Sequence, residues 1–182
     1  GLFQPNSRID TSPGFFKVGS LTVRDEHPQG DIDLTQILTK SSNVGAAKIG
    51  LTLGAQAVWS GYERFGLGEP VYSGLPGEAA PVLRNYSDWG EIATATASYG
   101  YGISFTALHL VRAYSALAND GLMPQLRLIE NAPHVPPQRT VSEVVAREVR
   151  QLMLGVVAPG GTALRAAVPG YRIAGKTGTA RM

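Results

Sequence analysis

Two short strings in this 182-residue chain set out side chains suited to acyl chemistry. Lys176-Thr177-Gly178 places an ammonium beside a hydroxyl and a residue with no side chain. Ser41-Ser42-Asn43, 135 residues earlier, offers hydroxyls and a carboxamide. By themselves the two strings are only suggestive, since each is short enough to recur by chance. The second string also has a purely structural reading, because serine and asparagine are favoured helix caps. Other chemistries are excluded. With no cysteine, thiolate nucleophiles, disulfides and sulfur-held zinc or iron–sulfur sites are ruled out. His27, His109 and His134 lie far apart, no His/Asp/Glu cluster has metal-ligand spacing, and neither a metal nor a cofactor is expected. His109, between Leu108 and Leu110, reads as a packed or surface residue. Gly66-Leu67-Gly68 lacks the Lys-Ser/Thr of a phosphate cradle.

The elements that must position these residues follow from pattern. Apolar residues make up 43% of the chain, enough for a core, while charged residues at 16% fall below the roughly 25% of average soluble domains. Net charge is +2, split as −3 over residues 1–91 and +5 over residues 92–182. The basic residues of the second half are scattered singly, which argues against a nucleic-acid groove and leaves room for a local anion site. No apolar run approaches the roughly 18 residues of a membrane span. Gly1 to Pro5 is no signal peptide and there is no initiator methionine, so the chain reads as cut from something longer. Phe16-Lys17-Val18 and Leu21-Thr22-Val23 around Gly19-Ser20 predict a hairpin. Leu34, Ile37 and Leu38 predict a first helix, Val44 to Leu53 a second ending at Gly54, and Val58, Tyr62 and Phe65 a third ending at Gly66. Leu67 to Asp88 reads as a long surface connection. A stronger helix follows, with Ser104 as its cap and Gly121 beyond its end, and another runs from about Ser142 to Leu154. Tyr171 to Thr179 reads as a strand, and the whole as an α+β domain.

Order and company give the two strings their weight. S-x-N followed by K-T-G are the second and third motifs of serine β-lactamases and penicillin-binding proteins. Lys40-Ser41-Ser42-Asn43-Val44-Gly45 resembles the second motif of class B penicillin-binding proteins. So do Phe65-Gly66-Leu67-Gly68 with Leu75-Pro76-Gly77-Glu78, and Tyr99-Gly100-Tyr101-Gly102-Ile103 with Thr106. Ala118-Asn119-Asp120-Gly121 and Ala174-Gly175-Lys176-Thr177-Gly178-Thr179-Ala180-Arg181 complete the likeness, which covers essentially the whole chain and is nearest to septal transpeptidases of cell division.

The resemblance implies the transpeptidase fold and a reaction. A serine nucleophile breaks a D-Ala-D-Ala bond, and the acyl group passes to an amine of a neighbouring peptidoglycan strand; such enzymes are targets of β-lactam antibiotics. By position Ser41 matches the proton-relay serine and Asn43 the amide that holds a substrate carbonyl. Lys176 would face the substrate carboxylate, with hydroxyl donation from Thr177 and Thr179. The Thr179 amide would form half of the oxyanion hole, Gly178 would clear the strand edge, and Tyr101 and Arg181 would line the cleft. No cofactor is implied. Implied partners are stem peptides, β-lactams and other division proteins, at the periplasmic face of the inner membrane through an anchor absent from this chain.

One departure is large. No serine here is followed by lysine at the third position, so the S-x-x-K nucleophile is expected outside the chain, as are the closing strands and helix beyond Met182. Residues 1–182 therefore read as a partial transpeptidase domain, a helical subdomain with the beginning of the central antiparallel sheet, inactive alone. Two alternatives remain. One is a catalytically inert binding or scaffold homologue. The other is a serine D,D-carboxypeptidase or β-lactamase, for which Glu78 and Glu91 are the mid-chain candidates to hold a deacylating water.

Overall fold

A computed structural model describes residues 2–74, 76–127 and 135–178. Strand β1 (Arg8–Asp10) pairs antiparallel with β4 (Asp31–Asp33). Between them β2 (Phe15–Val18) and β3 (Leu21–Arg24) form the expected hairpin, with Phe16 opposite Val23 and Val18 opposite Leu21. Gly19 takes φ +56 at the first turn position, as glycine does in tight two-residue turns. Helix α1 (Leu34–Lys40) starts from a capping box: the Gln36 amide donates to Asp33 Oδ1 at 2.7 Å and the Asp33 amide to Gln36 Oε1 at 3.1 Å. Then come α2 (Asn43–Leu53), α3 (Ala55–Arg64), α4 (Glu91–Ala97) and α5 (Ala107–Ala118). A two-residue ribbon of β5 (Leu122–Met123) and β6 (Gln138–Arg139) precedes α6 (Glu143–Val157).

The hairpin packs on α2 and α4, burying Val18, Val23, Val44, Ala47 and Ala95 under Phe16, Leu21, Leu51 and Tyr99. Helix α2 turns a face of small residues to this core. A Cβ on Gly50 would sit 1.7 Å from Ser98 Oγ, so glycine there is what lets the two chain segments approach. On the other side, α6 packs against α1 and α5, and buries Ala146, Met153, Val156 and Val157. A Cβ on Gly155 would meet Thr39 Cγ2 at 2.8 Å, so α1 and α6 touch closely near the end of each. Among the described residues no helix is long and apolar enough to cross a membrane.

Two expectations are corrected, and one helix is added. The cap of α5 is Thr106 rather than Ser104, which instead forms a backbone bridge with Val82. Helix α4 went unread, because its Thr/Ala-rich turn shows no apolar stripe. And residues 171–178, expected as a strand, pair with no other strand among the described residues. A strand exists only through a neighbour's ladder, and no described strand lies beside this segment. Its main-chain tether is the Gly175 amide, which donates to the Met153 carbonyl at 3.3 Å. The α+β architecture holds as six helices and three two-stranded ribbons among the described residues.

Candidate active site

The junction between α1 and α2 is two residues long, Ser41 and Ser42. Ser41 closes α1 in the left-handed conformation, φ 58 and ψ 45. Outside glycine that region costs roughly 1 kcal/mol or more, and it turns the chain so that Ser42 can cap α2 immediately. The Ser42 hydroxyl accepts from the Gly45 amide at 2.9 Å and donates to Asp25 Oδ2 at 2.8 Å. Asp25 Oδ1 also accepts the Val44 amide at 2.9 Å, which fixes a carboxylate at the start of a helix where its dipole favours one. The Asn43 carboxamide donates to the Arg24 carbonyl at 3.0 Å. The end of β3 thus holds the start of α2 by three bonds. Ser42, the middle residue of the motif, is the structural cap, which leaves the Ser41 hydroxyl for other work.

That hydroxyl meets the far end of the chain. Lys176 Nζ donates to Ser41 Oγ at 2.7 Å, and also lies 3.1 Å from the Thr177 carbonyl and 3.4 Å from Thr177 Oγ1. Burial holds the Lys176 ammonium below the usual lysine range, since a half-buried charge loses hydration. Thr177 Oγ1 is in turn 3.0 Å from Thr162 Oγ1. The arrangement gives a hydroxyl an ammonium partner in a partly dry place, the setting in which a serine can relay a proton.

The other expected residues are distributed unevenly. Asn43 adjoins the pair through the chain, with one amide hydrogen committed to Arg24. Gly178 follows Thr177 and is exposed. Tyr101 stacks edge-on to Tyr99 at 5.6 Å and lines a cleft of about 380 Å³ with Arg84, Trp89 and Ile92, to which neither Ser41 nor Lys176 contributes. Thr179 and Arg181 lie outside the described residues. His109 is buried and structural: Nδ1 accepts the Thr106 amide at 3.1 Å, and Nε2 is 2.8 Å from the Glu69 carbonyl. Those partners require the neutral form with the proton on Nε2. Glu78 accepts from the Val71, Tyr72 and Ser73 amides and the Ser73 hydroxyl, at 2.7, 3.1, 2.7 and 2.6 Å. These bonds, the Ser73 hydroxyl first, hold its carboxyl below the usual carboxylate range. Glu91 starts α4 and lines a second cleft of about 440 Å³ with Phe16, Lys17 and Trp89. Asp25 escaped sequence reasoning, since its partners lie 17 and 19 residues away and nothing local marks it.

The model of the penicillin binding protein transpeptidase domain matches residues 1–182. The chain belongs to that family. The probable peptidoglycan D,D-transpeptidase PenA of Neisseria gonorrhoeae is 43% identical over 176 residues, which is 97% of this chain and 30% of that protein. The peptidoglycan D,D-transpeptidase FtsI of Escherichia coli K12 is 37% identical over 181 residues, all of this chain and again 30% of the relative. A crystal structure described as a peptidoglycan glycosyltransferase from Burkholderia ambifaria superposes with a TM-score of 0.90 at 40% identity, covering 98% of this chain and 57% of that one. The apo transpeptidase domain of Burkholderia pseudomallei penicillin-binding protein 3 gives 0.90 at 38% identity, over 96% and 54% of the two chains. The chain thus spans about 30% of the length of the first two curated relatives. Ser41 and Lys176, from the two strings singled out in the sequence, are hydrogen-bonded through their side chains here.

Proposed function

We propose that this chain is part of a peptidoglycan D,D-transpeptidase that cross-links stem peptides in septal wall synthesis, and that β-lactams acylate the same centre. The 2.7 Å bond between Lys176 Nζ and Ser41 Oγ is the observation that carries the reading. A serine of the S-x-x-K segment gives its proton to that segment's lysine and attacks the penultimate D-Ala carbonyl, and the C–N bond breaks so that the terminal D-Ala leaves as its amine. Ser41 passes its own proton to that amine and is resupplied from the S-x-x-K lysine, while the Lys176 ammonium keeps its charge and polarises the Ser41 hydroxyl. Lys176 also draws the substrate carboxylate, with Thr177 and Thr179 donating hydroxyls to it, and Asn43 holds a substrate carbonyl. The Thr179 amide supplies half of the oxyanion hole. Gly178 leaves the edge open to the peptide, and Tyr101 and Arg181 line the approach. The reaction then takes place at the periplasmic face of the inner membrane, with stem peptides as substrates and other division proteins as partners.

Two features weigh against the alternatives. An inert scaffold has no use for a serine held left-handed against a half-buried ammonium, both of which cost stability. A hydrolase needs a carboxylate to hold its water, yet Glu78 is committed to its own loop and Glu91 lines a cleft without Ser41 or Lys176. The test uses the full-length protein and a fluorescent penicillin. Lys176→Ala is expected to abolish labelling while the melting temperature stays close to that of the native protein, and full labelling of the variant would remove the role given to Lys176. The 182-residue chain alone is expected to take no label. An adduct on it, found by mass spectrometry, would mean that the nucleophile lies within these residues.

A further inference from the structure

The residue before Ser41 is also tied to the far end of the chain. Lys40 Nζ donates to the Gly160 carbonyl at 2.8 Å, across 120 residues of sequence. Gly160 belongs to a turn that folds back on the end of α6: the Gly161 amide donates to the Ala158 carbonyl at 2.9 Å and the Ala163 amide to the Val156 carbonyl at 2.8 Å. A Cβ on Gly161 would come within 2.3 Å of the Val156 carbonyl oxygen, so the turn lies hard against the helix and has little freedom of its own. Thr162, the next residue, reaches Thr177 with its hydroxyl at 3.0 Å. Thr177 adjoins Lys176, which returns to Ser41. The bonds close a ring: Ser41 and Lys40 on the end of α1, Gly160 and Thr162 on the turn, Thr177 and Lys176 on the last described segment.

We propose that the turn 158–163 is a clamp that sets the Ser41–Lys176 geometry, with Lys40 and Thr162 as its positioning residues; this rests on the function proposed above. The reason is mechanical. The main-chain bond of the Gly175 amide to α6 is a long one at 3.3 Å, and it leaves the Lys176 side chain to be ordered by what its end meets. A lysine side chain left to itself samples many rotamers, at an ordering cost of about 2 kcal/mol. Acyl transfer tolerates little of that, because a displacement of about 1 Å costs up to about a hundredfold in rate. The proton arrangement also follows from the distances. An ammonium has donors only, so Thr177 Oγ1 accepts from Lys176; with Thr162 donating to its second lone pair, the Thr177 proton stays free for the substrate carboxylate. Thr162 therefore orients the hydroxyl that faces the substrate carboxylate, and Lys40 fixes the turn that carries Thr162.

The test is acylation of the full-length protein by a fluorescent penicillin over a range of concentrations, which separates binding from the acylation rate constant. Lys40→Met and Thr162→Val each lower that rate constant about tenfold or more. Binding and melting temperature stay near native values. Lys40→Arg keeps a donor and Thr162→Ser keeps the hydroxyl, so both restore most of the rate. The Lys40→Met/Thr162→Val double variant is no slower than the slower single variant, because one broken link already opens the ring. Native rates in both single variants, failure of both conservative replacements, or fully additive losses would each overturn the clamp. Lys176→Ala, run alongside, keeps the two readings apart. If it still labels, the proposed function falls; if it is dead while Lys40→Met and Thr162→Val label at native rates, the clamp alone falls.

Discussion

The serine and the lysine of the site are held in opposite ways. Around Ser41 the chain is fixed from within the core: Ser42 and Val44 are buried, the Ser42 amide returns to Ile37 at 3.0 Å, and Asp25 takes both the Ser42 hydroxyl and the Val44 amide. Around Lys176 most neighbours along the chain are half-buried or exposed, Tyr171 at 77%, and side-chain ends do the holding. One half of the pair is therefore part of the folding unit, and the other is brought to it. Damage to the serine side should appear in stability, and damage to the lysine side in rate.

Asp25 gives the largest expected effect. Asp25→Ala strips two partners from the buried start of α2, the Ser42 hydroxyl and the Val44 amide. Unpaired buried polar groups cost about 1–3 kcal/mol each, so a loss of roughly 2–4 kcal/mol is expected from urea denaturation of the full-length protein. A loss below about 0.5 kcal/mol, the scale of an ordinary surface substitution, would show that α2 does not depend on this anchor and would erase the contrast between the two regions.

What was legible in the sequence divides along the same line. The hairpin and the ends of α2 were legible because their causes lie within a few residues: alternation, caps and a closing glycine. Ser41-Ser42-Asn43 supported a capping reading and a chemical one, and both apply, Ser42 to the cap and Ser41 to the lysine. Asp25 and Lys40 act over 17 and 120 residues and leave no local mark. Helix α4 is short and stabilised by what packs on Ala95 and Ala97 rather than by its own pattern. Residues 171–178 have strand-like composition, but a strand is defined by its partner, and none of the described strands lies beside them.

A smaller effect isolates the backbone at Ser41. Ser41→Gly and Ser41→Ala both remove the hydroxyl and are expected to lose the relay alike. They differ in what they do with φ 58, which glycine adopts freely and alanine does not. The glycine variant should be the more stable of the two by about 1 kcal/mol, read as a difference in denaturation midpoint at equal slope. Equal midpoints would mean that the junction relaxes when the hydroxyl goes, and that the lysine rather than the helix ends holds Ser41 in place.

The smallest effect concerns Lys176 and alkaline pH. Burial lowers its folded-state value from 10.5, so in the window between that lowered value and 10.5 the unfolded chain binds the extra proton. Stability rises with pH wherever the unfolded state holds more protons, so the cost of keeping this ammonium half-buried is present at neutral pH and fades as pH climbs through the window. Lys176→Met removes that slope. Comparing melting temperatures of the full-length protein and the variant from neutral pH up to about 10.5 should show the two curves converging from below on the native side, by a modest amount because solvent still reaches the group. Parallel curves would place the ammonium in water. In that case the last segment would be held less firmly than its bond to Ser41 implies, and the ring through Lys40 and Thr162 would have nothing to position.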